Sequence, residues 1–216
     1  VGLGSQAPGK AQLEDYAISV GDLSDVEACE REDCNSILEV VVNSGHVKGV
    51  QLLLEKLQVD MLQTQPVLQW ATDSGHVELV KLLLEKKADV NAVFEFYGIG
   101  TESAPLDMAV ASGRRELVEI FLRQGVDVYG SGNSIGIAAR FGHAEVTEML
   151  LAAKASAQNR AYSRVAPPLF EAINHGHASV LQSLLDHRAD VNDYVQYSDM
   201  TFRDLIHDRG LPELEQ

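Results

Sequence analysis

The stretch Gly75-His76-Val77-Glu78-Leu79-Val80-Lys81-Leu82-Leu83-Leu84-Glu85, closing on Ala88-Asp89-Val90-Asn91, decides how this chain folds. Its apolar residues recur at i, i+3, i+4 and i+7, the spacing that lays one broad stripe along a single face of an α-helix. A short polar turn then ends the helix. A helix of this length cannot bury its stripe against itself, so it needs neighbours of the same kind.

The neighbours are copies of the same unit. Gly45-His46-Val47, Gly75-His76-Val77, Gly113-Arg114-Arg115, Gly142-His143-Ala144 and Gly176-His177-Ala178 recur with glycines 30, 38, 29 and 34 residues apart. Degenerate copies flank them at Gly21-Asp22-Leu23 and Gly210-Leu211-Pro212. Before the strong glycines stand Val41, Ala71, Ala109, Ala138 and Ala172, residues that let a first helix press closely on its neighbour. After them come second-helix runs such as Leu117-Val118-Glu119-Ile120-Phe121-Leu122 and Val180-Leu181-Gln182-Ser183-Leu184-Leu185. These exit through Val126-Asp127-Val128-Tyr129 and Ala189-Asp190-Val191-Asn192.

A period near 33 residues with these residues in these places resembles the ankyrin-repeat family. Gly75 to Asn91 is close to its consensus. Pro168-Leu169-Phe170-Glu171-Ala172 matches the family's opening T-P-L-H-x-A, with Pro167 and Phe170 in place of Thr and His. The resemblance implies an all-α solenoid of helix–turn–helix units with β-hairpin fingers and a concave groove that binds another protein. It covers residues 36–200 as five repeats. Residues 1–13 read as a flexible lead-in or tag, 14–35 as a degenerate N-terminal cap, and 201–216 as a degenerate or truncated C-terminal cap. End copies expose one face to water, which fits Asp22, Asp25, Glu27 and Glu30 at one end and Asp204, Asp208, Arg209 and Pro212 at the other. The resemblance also implies that Asn91 and Asn192, in Asp-Val-Asn turns, are candidate hydroxylation sites.

The 216-residue chain carries 17 Lys and Arg against 32 Asp and Glu, for a net charge of −15. That balance argues against nucleic acid and anionic membranes as main partners, since both require a positive footprint. No apolar run approaches the roughly 18 residues of a membrane-spanning helix. Residues 1–108 hold 7 basic and 18 acidic residues and residues 109–216 hold 10 and 14, so negative charge gathers toward the N-terminus. Cys29 and Cys34 are expected to be free thiols of an intracellular protein, cytoplasmic or nuclear, and are too few for a zinc site. The expectation is a monomer that binds another protein, without metal or cofactor.

Partner specificity belongs to positions that the repeat leaves variable. The widest glycine interval stretches Asn91 to Ala104 into a long finger carrying Phe94, Phe96 and Tyr97, with turn-friendly Gly98 and Gly100. Tyr129, Tyr162, Tyr194 and Tyr197 fall in other predicted fingers. The pairs before each glycine, expected to face the groove, are Asn43-Ser44, Asp73-Ser74, Ala111-Ser112, Arg140-Phe141, Asn174-His175 and Asp208-Arg209. They run from small, polar or acidic to larger, aromatic and more basic, with Arg160 and Arg164 adding positive charge. Partner-binding residues are therefore sought among Phe94, Phe96, Tyr97, Tyr129, Arg140, Phe141, Tyr162, Asn174, His175, Tyr194 and Tyr197. Trp70 is read as core. The turn after each second helix favours a left-handed residue. Gly125 supplies one, whereas Leu57, Lys87, Lys154 and Arg188 hold that place elsewhere.

His46, His76, His143 and His177 follow the repeat glycines and are expected to make structural hydrogen bonds, and His187 lies in a turn. His175 and His207 remain, with Glu171 four residues before His175 on one helical face. Glu171 stands where other copies are apolar, so Glu171, His175 and His207 are the candidates for an acid–base or metal site. No nucleophile motif, phosphate-cradling loop or second metal-ligand pair accompanies them. The residues thus favour a protein-interaction scaffold or adaptor, with an enzyme or small-molecule binder in the C-terminal groove as the alternative.

Overall fold

A computed structural model describes residues 31–57, 66–95, 102–128, 134–153, 166–191 and 201–210. The chain divides into two compact units, Val1–Ala92 and Val93–Gln216, and the division falls in the widest interval between repeat glycines.

The first unit contains α1 (Arg31–Asn43), α2 (Val47–Leu57), α3 (Val67–Ser74) and α4 (Val77–Glu85). First helices pack on first helices, α1 on α3, and second helices on second, α2 on α4. In the second unit β1 (Phe94–Glu95) and β2 (Glu102–Ser103) precede the pairs α5 (Pro105–Ala111) and α6 (Arg115–Arg123), α7 (Ser134–Phe141) and α8 (Ala144–Ala152), and α9 (Pro168–Asn174) and α10 (Ala178–Asp186). A last helix, α11 (Phe202–Asp208), packs on α9. One row runs α5, α7, α9, α11 and the other α6, α8, α10, so within each unit the pairs stack as a solenoid does. Among the described residues no helix is long and apolar enough to cross a membrane.

The core forms where the repeat places its small and branched residues. Ala71, Ala109, Ala138 and Ala172 are 0% exposed and Val41 1%, which sets the close approach of first helices. The second helices bury the predicted stripe: Leu79, Val80, Leu82 and Leu83 in α4, and Leu117, Val118 and Phe121 in α6. Trp70, expected in the core, is only half-buried. Its position is not uniformly inward, since Val40 and Ile137 at the same place are half-buried too.

Each first helix ends in a glycine at positive φ, which lets the next N–H groups turn back onto the last carbonyls. At Gly75 (φ 79°) the glycine N–H reaches Thr72 O at 3.0 Å, and His76 N–H reaches Ala71 O at 3.0 Å. The second helices close the same way. Lys87 (φ 70°) and Arg188 (φ 63°) adopt the left-handed conformation that Gly125 adopts at φ 75°. Ala88, Val126 and Ala189, the next residues, send their N–H groups to Leu83, Phe121 and Leu184 and are buried. Leu57 departs from the expectation, because it is the last residue of α2 and stays helical. Lys154 lies outside the described residues.

Of the expected hairpin fingers, one pairing is present among the described residues. Phe94 faces Ser103 and Glu95 faces Glu102 in an antiparallel ladder two residues long. Elsewhere between the helix pairs the described residues form turns.

Candidate functional site

The turn between first and second helix is where consecutive repeats meet through side chains. In the first unit the His76 ring donates from Nε2 to Asn43 O, two residues before the preceding repeat glycine, at 2.8 Å. In the second unit His143 Nε2 donates to Ala111 O at 3.1 Å and His177 Nε2 to Arg140 O at 3.1 Å. The last copy has Leu211 after its glycine, and Arg209 reaches the equivalent carbonyl instead, with Nη1 donating to Asn174 O at 3.3 Å. The acceptors are helix-end carbonyls that have no partner within their own helix. Each ring therefore satisfies an orphan group of the repeat before it. His46 differs: its Nδ1 accepts from the Gly49 N–H at 3.4 Å.

This ladder gives the repeat glycine a second reason to be glycine. A Cβ on Gly45, Gly113 or Gly142 would stand 2.6 Å from the imidazole of His76, His143 or His177. At Gly176, followed by no such histidine, a Cβ would meet nothing within 4 Å. The recurring Gly-His pair is legible in the sequence. That each histidine seats against the glycine of the previous copy needs the stacking register, which the sequence alone does not supply.

The residues expected at the groove fall into three groups. Arg140, Phe141 and His175 are exposed and Asn174 is half-buried, so the structure presents the first three at the ends of neighbouring helices α7 and α9. Phe141 is a large apolar side chain left 49% exposed. Its ring lies alongside His143 with centroids 6.3 Å apart, and His175 lies alongside His177 at 6.2 Å. Phe94 belongs to β1. Phe96, Tyr97, Tyr129, Tyr162, Tyr194 and Tyr197 lie outside the described residues, as do Arg160, Arg164, Cys29 and Asn192. Asn91 is exposed, and its backbone N–H donates to Asp89 Oδ1 at 2.9 Å.

Glu171 and His175 do come together. The Glu171 side chain is 11% exposed, and His175 Nδ1 stands 3.5 Å from its Oε2. The shorter contact of that nitrogen is to the Glu171 main-chain O at 3.0 Å. A carbonyl only accepts, so Nδ1 carries the proton and is committed to the helix end rather than to the carboxylate. His207 sits on α11 near Asp204. Hydrogen bonds from the Thr201 hydroxyl and then the Thr201 N–H hold the Asp204 carboxyl below the usual carboxylate range, with His207 and Arg203 adding smaller effects. Among the described residues no three His, Cys, Asp or Glu side chains gather as a metal site would require.

Two buried polar ties had no counterpart in the sequence reading. Asp107, 2% exposed, takes the Ser134 hydroxyl of the next repeat at 2.5 Å and the Ala104 N–H at 3.4 Å. Gln69, 1% exposed, donates from Nε2 to Ala92 O at 2.7 Å and pins the segment leaving α4 to α3. Both stand six residues before a repeat glycine, where the consensus has His and this chain varies.

Comparison with known proteins agrees with this geometry. A profile described as ankyrin repeats (3 copies) matches residues 15–94 and 106–195, and one described as ankyrin repeats (many copies) matches residues 68–122. A curated relative, the probable E3 ubiquitin-protein ligase XBOS32 of Oryza sativa subsp. japonica, is 31% identical over 90 residues. Those residues are 40% of this chain and 18% of the relative, so the likeness carries no ligase activity across. With the profiles covering most of its length and helix pairs stacked on a glycine–histidine register, the chain belongs to the ankyrin-repeat family.

Proposed function

We propose that this chain is a protein-interaction scaffold or adaptor that recognises its partner through the groove-side ends of its first helices and the fingers between repeats. The observation that carries the reading is Phe141, an aromatic side chain held 49% exposed beside exposed Arg140. Stacking explains the alanines and leucines of the repeat, but it gives no reason for a half-exposed phenylalanine at a helix end. Exposed aromatic and arginine side chains are favoured interface anchors because they bury much area on binding. The long finger, with Phe94, Phe96 and Tyr97, extends the proposed surface. Tyr129, Tyr162, Tyr194 and Tyr197 are its further candidates, and Asn174 and His175 continue it from Arg140 and Phe141. The five-repeat body over 36–200 with caps at 14–35 and 201–216 is part of the same reading. So are a monomeric state, which light scattering checks, and an intracellular location.

Affinity capture from cell extract with wild type and with a Phe96→Ala, Tyr97→Ala, Phe141→Ala variant tests it. The variant is expected to lose at least one captured protein while its circular dichroism and thermal midpoint stay those of wild type. Undiminished capture removes this surface from consideration.

The second reading, a catalytic or small-molecule site at Glu171, His175 and His207, draws on the buried carboxylate of Glu171. Thermal-shift screening with metals and metabolites finds a ligand for it, and Glu171→Gln then abolishes the shift. A ligand shift that survives Glu171→Gln rejects it.

A further inference from the structure

The interaction reading leaves the partner's chemistry open, and the helix-end row of the second unit narrows it. The bonds from His143 to Ala111 O, His177 to Arg140 O and Arg209 to Asn174 O hold the ends of α5, α7, α9 and α11 side by side. Helix C-termini carry partial negative charge on their unpaired carbonyls and ordinarily disfavour an anion. Along this row a ring or guanidinium donor occupies a carbonyl at three successive ends, which reduces that obstacle. The acids beside the row have partners as well: Glu145 pairs with Arg115 at 3.1 Å, Asp208 stands 3.6 Å from Arg209, and the Glu171 carboxylate stands 3.5 Å from His175 Nδ1. Arg140, by contrast, is exposed and has no carboxylate partner among the described residues. Next to it stands the half-exposed ring of Phe141. On the adjacent turn stands exposed His175, its Nδ1–H given to Glu171 O.

We infer that the α7–α9 end of this row binds an acidic peptide segment carrying an apolar side chain. This deepens the interaction reading and rests on it. Arg140 pairs a carboxylate of the segment, two N–H groups against two oxygens, as guanidinium geometry allows. Phe141 covers the apolar side chain, and the exposed His175 ring offers Nε2 for a hydrogen bond with the peptide. A basic segment would set its charge against Arg140, where the neighbouring acids Glu145, Asp208 and Glu171 already face Arg115, Arg209 and His175. Because the whole chain is at −15, its long-range field opposes an acidic partner. Recognition therefore depends on short-range contacts, which persist at physiological salt, where screening acts beyond about 8 Å.

Three fluorescein-labelled peptides of equal length test the inference by anisotropy on the full chain at physiological ionic strength. One alternates Glu with Leu, one Gln with Leu, and one Lys with Leu. The Glu peptide is expected to bind about tenfold or more tighter than the Gln peptide, and Arg140→Glu or Phe141→Ala to weaken it by about tenfold each. Arg140→Lys should retain part of the affinity, and circular dichroism confirms that each variant is folded. Equal binding of the Glu and Gln peptides, or indifference to Arg140→Glu, overturns the inference. Tighter binding of the Gln or Lys peptide that falls with Phe141→Ala overturns the acidic assignment and leaves the interaction reading standing. If none of the three binds, the acidic assignment fails, and capture with the Phe96, Tyr97 and Phe141 variant judges the interaction reading separately.

Discussion

At the scale of single residues, the repeat glycines separate two effects that usually travel together. Gly142 and Gly176 share a φ of 75°, so an alanine at either position bears the same left-handed strain, about 1 kcal/mol or somewhat more. Only at Gly142 does the added carbon meet a ring, that of His177, at 2.6 Å. Forcing a methyl group into a filled site typically costs a further 1 to 3 kcal/mol, roughly. Gly142→Ala should therefore lower stability clearly more than Gly176→Ala, as urea unfolding midpoints will show. Equal losses would mean that the ring moves aside freely. Lys87 and Arg188 give the converse case, being side-chain-bearing residues at φ 70° and 63°. Lys87→Gly and Arg188→Gly should each stabilise the protein by up to about 1 kcal/mol, read as a higher thermal midpoint.

At the scale of elements, joints between neighbouring helix pairs are held by specific polar ties as well as by apolar stripes. The Ser134 hydroxyl reaching buried Asp107 joins α7 to α5 at 2.5 Å. Ser134→Ala removes this hydrogen bond to a buried carboxylate, which costs on the order of 1 to 3 kcal/mol in denaturant unfolding. The start of α11 should respond to acid. Thr201 holds the Asp204 carboxyl below its usual range, so the ionised form is favoured in the folded state. A depressed carboxylate contributes stability above its unfolded value, and that contribution is lost as the pH falls through the folded value. The advantage of wild type over Thr201→Ala should thus be present at neutral pH and vanish in strong acid. An advantage that grows on acidification would contradict the arrangement. Much of this level was readable in advance: second helices appeared where the i, i+3, i+4 runs placed them, and the close-packed alanines are fully buried. Leu57, expected as a left-handed turn residue, instead ends α2, because helix ends depend on capping bonds and not on the apolar stripe alone. The Asp107–Ser134 tie was invisible because the two residues lie 27 apart, and only the stacking register brings them together.

At the scale of the molecule, stacking and the proposed recognition draw on different residues of the same repeat. Stacking takes the alanines, the leucine stripes and the glycine–histidine pairs, all of which recur and so could be read from periodicity, although the ladder the pairs build needed the stacking register. Recognition is assigned to residues that do not recur, Arg140 and Phe141 foremost, which stand out only against that regular background. The sequence singled both out, and the structure adds that they stand exposed at helix ends held in row by the ladder. A photo-reactive amino acid placed at position 141, with a control at the exposed apolar Leu52 on α2, tests whether the end of α7 touches a partner. On irradiation in cell extract, a discrete covalent adduct with a partner protein is expected from position 141 and none of that size from position 52. Adducts from position 52 alone, or identical adducts from both, would contradict it.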